Sequence, residues 1–165
     1  MAMQDYISAD RYPTLIGLLR RTPFRTFILY PVVTLLWELF ANGENFEPNF
    51  WFLPLMIWGY LEYLFCGVYR MKAGGGGPGL ERPPDRLVAT GPYAYTRNPM
   101  YLGHLIFLIG LSLTLQSWLA AGITIGVAFW FHYRVLGDEK KLIARFGNPY
   151  VNYMQAVKRW IPGLF

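Results

Sequence analysis

The chain is poor in charge. Of 165 residues only 15% are Asp, Glu, Lys or Arg, where about 25% is usual for a soluble domain. A domain of this size has much surface to cover, so the shortage argues against a water-soluble globule. Cysteine is scarcer still. Cys66 stands alone, which excludes an internal disulfide and a cysteine-rich metal cluster. Two histidines, His104 and His132, make no metal site by themselves. No n-region with a cleavage site of the secretory kind is legible. The glycine run GGGGPG at 74–79 is not a Walker loop, because no Gly-Lys-Ser/Thr follows it and no strand precedes it. It reads as a flexible linker.

Apolar residues fill the space that charge leaves. They make up 54% of the chain, and the mean hydropathy is +0.24. Four stretches stand out, at 24–41, 50–69, 100–115 and 118–133. Crossing the hydrocarbon takes about 20 apolar residues, with a range of roughly 17–25. The second stretch qualifies outright, and the others lie at or just below the lower limit. The composition predicts an all-α integral membrane protein with about four transmembrane helices, built as one domain over 1–165.

The cations give this bundle an orientation. Arg11, Arg20, Arg21 and Arg25 head the first stretch. Arg70, Lys72, Arg82, Arg86 and Arg97 fall between the second and third, and six more follow the fourth. The connection 42–49 carries Glu44 and Glu47 but no cation, and Gln116–Ser117 carries none either. The positive-inside rule then puts both termini, the segment 70–99 and the segment 134–165 in the cytoplasm. Trp51 and Trp118 sit beside the two outer connections, as an aromatic belt requires. The net charge of +5 is explained by orientation and by attraction to anionic headgroups. No nucleic acid partner is needed.

Any chemistry belongs to the cytoplasmic segments. A short interfacial helix over 14–21 is one reading of the N-terminal region, and a frayed lead-in is the other. The run RLVATGPYAYTRNPMYLG at 86–103 places Tyr93, Tyr95 and Tyr101 around Arg97 and Asn98, with Pro99 suited to the first turn of the third span. The free N–H groups of such a helix start favour an anion, whereas an interfacial Tyr/Arg girdle explains the same residues without a ligand. The fourth span continues unbroken into RVLGDEKKLIARF at 134–146, where Arg134 is placed to pair with Asp138. After Gly147-Asn148-Pro149, residues Tyr150, Tyr153, Val157 and Trp160 share one face of a helix that ends at Pro162. That helix lies on the membrane or folds over the site. Within the spans, Glu38, Glu62, His104 and His132 are ionisable, and such groups are functional candidates by default. Glu38, near an outer end, is expected to snorkel toward water.

Three blocks together carry a resemblance. GPYAYTRNPMYLG at 91–103, DEKKLIARFGNPYVNY at 138–153 and RWIP at 159–162, separated by a hydrophobic hairpin, resemble the isoprenylcysteine carboxyl methyltransferase family, grouped with the phospholipid N-methyltransferases. The likeness covers roughly 87–162. It implies an integral membrane enzyme that uses S-adenosylmethionine (SAM), bound on the cytoplasmic side by the loop before the third span and the extension of the fourth. It implies that Leu87, Val88 and Thr90, with Gly91 and Tyr93, hold the adenosine side, and that Tyr95 is available with Tyr93, Tyr101 and Glu139 to the sulfonium. It likewise implies that Arg97, Asn98, Pro99 and Tyr101 hold the methionine end, with Gly103 allowing close approach. The family's paired acids fall on Asp138 and Glu139, the latter toward the cofactor's amino group or ribose. Asn98 stands where prenylcysteine enzymes usually carry His, and Asp85-Arg86 where a His often precedes Leu-Val, so the acceptor is left open.

Methyl transfer from a sulfonium is an in-line displacement that needs alignment more than acid–base help. Aromatic faces and carboxylates suit the sulfonium. The partners implied are the bilayer and a lipophilic acceptor, as a monomer or a homodimer. Catalytic candidates are Arg134, to orient an anionic acceptor, and Glu62 or His104, as base for an amine. Three other readings compete. A steroid-reductase-like NADPH oxidoreductase would want a phosphate-clamping Arg cluster, which the Tyr-rich loop lacks. A four-span transporter would use Glu62 for coupling. A non-catalytic scaffold would have a degenerate pocket.

Overall fold

The computed structural model describes residues 15–76 and 84–160, and no strand occurs among them. A short helix α1 (Leu15–Arg20) precedes the first span, close to the interfacial helix expected there. The expected first residue, Thr14, lies outside the described residues. Helix α2 (Thr22–Asn45) opens with Pro23 in its first turn, where a missing N–H costs nothing. A π-helical turn widens it over Arg25–Leu29. It runs beyond 24–41 at both ends, and its regular α-helical part stops at Gly43, whose φ of 52° is open to glycine. Helix α3 (Phe50–Gly74) is capped by the Asn49 side chain, which accepts from the Trp51 N–H at 3.1 Å. Helix α4 (Pro99–Leu115) starts on Pro99, as the sequence predicts. Helix α5 (Trp118–Phe146) has 29 residues, about 44 Å at 1.5 Å per residue. That exceeds the ~30 Å hydrocarbon, so the expected extension beyond the membrane is one continuous helix. Helix α6 (Asn148–Ala156) follows.

Helices α2, α3 and α5 are long and apolar enough to cross a membrane, and α4 is a shorter apolar helix. Their large side chains point outward: Leu36, Phe40, Trp58, Phe65 and Phe129 are all exposed. That is the surface of an integral membrane protein, whose solvent on this face is lipid. Trp51 and Trp118 are each 90% exposed at the end of the bundle where α2–α3 and α4–α5 connect.

The shortest span is the central one. Helix α4 buries Met100, Tyr101, His104, Phe107, Leu108 and Leu111, and the core forms where it meets Ala120, Val127, Phe131 and Val135 of α5. Toward α3 it presents glycine. A Cβ on Gly103 would stand 2.7 Å from the Gly59 carbonyl oxygen, and one on Gly110 would stand 2.7 Å from the Met56 nitrogen. The two backbones therefore touch, as small residues permit in membrane bundles.

Three expectations need correction here. Glu38 does not snorkel. It is buried, accepting from Ser117 Oγ at 2.5 Å and from Asn42 Nδ2 at 2.6 Å. Ser117 also caps α5 by accepting from the Ala120 N–H, so the carboxylate ties the first span to the start of the last. The tail helix is shorter than its periodicity implies. It stops at Ala156, Val157 is extended, and Trp160 lies outside it; Pro162 is outside the described residues. The glycine linker is also fixed where it begins. Gly74 is buried against Val88, and its carbonyl accepts from the Asp85 and Arg86 N–H groups at 2.9 Å. Residues 77–79 are outside the described ones.

Candidate active site

The loop from 84 to 98 folds back against α3 before it enters α4. Tyr69 Oη and Thr90 Oγ1 lie 2.8 Å apart. Gly91, at φ 58°, rests on the Tyr69 ring so closely that a Cβ there would overlap it. A 3₁₀ turn at Gly91–Ala94 then sends Tyr93 inward, where its hydroxyl meets the Cys66 carbonyl. Helix α6 closes over the same place. Tyr153 Oη donates to the Tyr93 carbonyl at 2.6 Å. Of the two positions the sequence allowed for the tail helix, the structure takes the one folded over the site.

Beneath lies a cavity of about 350 Å³, lined by Leu87, Val88, Tyr93, Arg97, Asn98, Pro99, Met100, Tyr101 and Asp138 among others. Eight of the residues that the resemblance assigns to the cofactor thus converge, from the loop, from the start of α4 and from α5. Burial raises the Tyr93 and Tyr153 phenols well above the ordinary range. It pushes Tyr150 up to about 12, helped by the nearby Glu139 carboxylate. All three stay neutral hydrogen-bonding groups across physiological pH.

The other singled-out residues take different places. Tyr95 points away and is 70% exposed. Thr90 and Gly91 hold the loop on Tyr69, and Gly103 faces α3 rather than the cavity. Glu139 is not in the lining. It is clamped by Arg97 Nη2 at 3.1 Å and by Arg159, whose Nε and Nη2 donate at 3.0 and 2.8 Å. That bidentate bond raises the Arg159 pKa. Arg97 and its neighbours also hold the tail. The Arg97 N–H donates to the Lys158 carbonyl, and Thr96 Oγ1 and Asn98 Nδ2 both donate to the Arg159 carbonyl. The Arg-Asn pair therefore both lines the cavity and fastens its cover, while Arg97 Nε is buried with no hydrogen-bond partner among the described residues.

Arg134 pairs with Asp138 at 3.8 Å as expected, and Tyr101 Oη donates to Asp138 at 3.0 Å. Arg134 thus reaches the cavity wall only through Asp138. Glu62 does not line this cavity and is hydrogen-bonded to the Trp58 side chain. His104 is fully buried. Both ring nitrogens lack hydrogen-bond partners among the described residues. Its ring stacks on Phe27 at 4.7 Å and lies 4.6 Å from Tyr63 and 5.6 Å from Phe131. His132 accepts from the Trp160 indole at 3.4 Å, a structural role, and no metal-binding cluster occurs among the described residues.

Periodicity did not reveal Arg70, Lys141, Leu142, Arg145 and Phe146, which also line the cavity. Arg70 comes from the last turns of α3, and the α5 residues lie one or two turns past Asp138. Placing cations here corrects the expectation that no basic cluster stands near the Tyr-rich loop. Arg145 pairs with Asp85 at 3.1 Å and Lys141 with Asp138 at 3.7 Å.

A second, open cleft of about 590 Å³ lies between α2 and α3. It is lined by Pro23, Phe24, Phe27, Ile28, Met56, Ile57, Tyr60, Tyr63, Leu64 and Phe107. No residue is common to both linings. Between them stand rings: Phe27 and Tyr63 of the cleft touch His104, His104 touches Phe131, and Phe131 packs at 4.7 Å on Tyr101 of the cavity.

Comparison with known proteins points to the same segments. The profile of the phospholipid methyltransferase family matches residues 78–148. A protein-S-isoprenylcysteine O-methyltransferase of Schizosaccharomyces pombe is 32% identical over 85 residues, which is 50% of this chain and 36% of that protein. One of Dictyostelium discoideum is 34% identical over 86 residues, 51% of this chain and 36% of the relative. One of Saccharomyces cerevisiae is 39% identical over 77 residues, 46% and 32% respectively. The chain thus spans about a third of the length of these curated relatives. The matched segment, 78–148, includes the loop, the start of α4 and the part of α5 that line the cavity, and it is there that the chain is similar to the phospholipid methyltransferase family.

Proposed function

We propose that the protein is a SAM-dependent methyltransferase acting on a lipophilic or membrane-embedded acceptor, a carboxylate, thiol or amine, with the cofactor held on the cytoplasmic side. One observation carries this reading. Two of the sequence blocks that resemble the family, 91–103 and 138–153, line a single cavity of about 350 Å³, sized for a small molecule, and Arg159 of the third block fastens its cover to Thr96 and Asn98. Its residues fit the cofactor. Leu87, Val88, Pro99 and Met100 offer an apolar wall for adenine, and the phenols of Tyr93, Tyr101, Tyr150 and Tyr153 offer ring faces and hydroxyls for a sulfonium. Asp138 suits the ammonium, and Arg97, with its orphaned Nε, suits the carboxylate. When bound, the cofactor supplies an electrophilic methyl group on sulfur. The chain's part is to hold the donor, exclude water under α6 and align the acceptor.

The apolar cleft between α2 and α3 suits the acceptor's hydrocarbon portion, since its lining is aliphatic and aromatic. His104 lies between cleft and cavity with two uncommitted nitrogens, so it is the better placed of the two base candidates for an amine acceptor; Glu62 lines neither space. Arg134 acts as a positioning residue, holding Asp138 against Tyr101. The lining cations Arg70, Lys141 and Arg145 favour one second reading, an NADPH-dependent membrane oxidoreductase, because a dinucleotide phosphate would seek them.

Calorimetric titration of S-adenosylhomocysteine into the detergent-purified chain, with NADPH alongside, separates the two. The expected result is roughly micromolar binding of S-adenosylhomocysteine, weakened about tenfold or more by Asp138→Ala and by Tyr101→Ala. Binding of NADPH instead, or of neither, would overturn the methyltransferase reading.

A further inference from the structure

Outside the lining of the apolar cleft, α2 meets α5 through two arginines and one tryptophan. The Arg25 guanidinium carbon lies 4.6 Å from the centre of the Trp130 ring, and that of Arg134 lies 5.3 Å from the same centre. The two cations are therefore less than about 10 Å apart. At that separation they repel. The described residues offer little to balance them. Arg134 Nη1 donates to Thr22 Oγ1 at 3.1 Å, and its nearest carboxylate, Asp138 at 3.8 Å, is shared with Lys141 and Tyr101. Arg25 has no carboxylate within 4 Å among the described residues, and its Nε is buried with no hydrogen-bond partner.

The place is the membrane interface. Arg25 stands one turn into α2 and Arg134 follows the apolar part of α5, at the end of the bundle that holds the cavity. Neighbouring Phe129 and Tyr133 are 64% and 70% exposed. Lipid acyl chains would lie along these rings, and a phosphodiester would lie level with the two guanidiniums. A guanidinium fork matches a phosphate oxygen pair, and an indole beneath it holds the fork in position.

We propose that Arg25, Arg134 and Trp130 form a binding site for the phosphate headgroup of an anionic phospholipid. The site is separate from the cofactor cavity and does not rest on the methyl-transfer reading. A net negative lipid satisfies both cations, whereas phosphatidylcholine brings its own balancing ammonium. Neither arginine lines the cavity, so the lipid is a bound partner and not the acceptor.

The test is native mass spectrometry of the full chain in detergent with added phosphatidylglycerol or phosphatidylcholine. The unaltered chain should retain phosphatidylglycerol in preference. Arg25→Gln should lower that retention about tenfold, toward the phosphatidylcholine level. Arg86→Gln, which removes an exposed cation elsewhere, should leave it unchanged. Equal loss in Arg86→Gln would mean diffuse charge attraction and would overturn the proposal, as would full retention in Arg25→Gln. Displacement of the lipid by an equal concentration of inorganic phosphate would also overturn it. Should Arg25→Gln fail to fold by circular dichroism, Trp130→Leu, which removes the stacking platform, carries the same comparison.

Discussion

Glu139 is 5% exposed and sits between the guanidiniums of Arg97 and Arg159. A carboxylate buried this way is held by its partners, and removing it leaves two cations facing each other without compensation. Breaking such a buried pair costs about 3–5 kcal/mol. Glu139→Ala should therefore lower the thermal unfolding midpoint sharply, and Arg97→Ala should do much the same. Because both act on one cluster, the double variant should be clearly less damaging than the sum of the two. Additive midpoints in a thermal-shift cycle would show that Glu139 stabilises through something other than Arg97. A loss of cofactor binding in Glu139→Ala is thus ambiguous on its own, which is why Asp138 and Tyr101, on the cavity wall, are the better probes. Glu38 shows the same logic at the other end of the bundle. Its partner Ser117 is 79 residues away, so no local pattern could have shown that it is buried.

Among the elements, the α3–α4 contact is the tightest. Gly59 lies against Gly103 and Phe107 with no room for a side chain. Adding one methyl should force the backbones apart, at about 1–3 kcal/mol or more. Gly59→Ala should aggregate or run as a broadened peak in size-exclusion chromatography, while Gly122→Ala, which meets nothing within 4 Å, should behave as the parent. The elements themselves were largely legible, because hydropathy and cation placement depend only on local sequence. The start of α4 at Pro99 and the unbroken run of α5 to Phe146 were read directly. What could not be read depends on distant partners. Helix α6 ends early because Lys158 and Arg159 must give their carbonyls to Arg97, Thr96 and Asn98, which an extended chain at Val157 allows and a helix does not. Arg70 enters the cavity wall only because the Gly59–Gly103 crossing sets how α3 lies against α4. Glycine spacing hints at such a crossing but does not say which residues it aligns.

For the whole molecule, the partition of rings between the covered cavity and the open cleft has a kinetic meaning. Tyr101, Phe131 and His104 belong to the wall, and neither chamber borrows a lining residue from the other. Under the proposed function, donor and acceptor can then each occupy its own side without waiting for the other, and a methyl group passes only after a ring swings aside with both present. Initial-velocity lines should intersect, not run parallel, and S-adenosylhomocysteine should compete with the donor while leaving the acceptor's apparent affinity unchanged. Parallel lines would require a methylated enzyme intermediate. Enlarging the partition's opening by Phe131→Ala should raise the slow hydrolytic loss of the donor in the absence of acceptor, because a wall that separates two substrates also keeps a reactive sulfonium from uninvited nucleophiles.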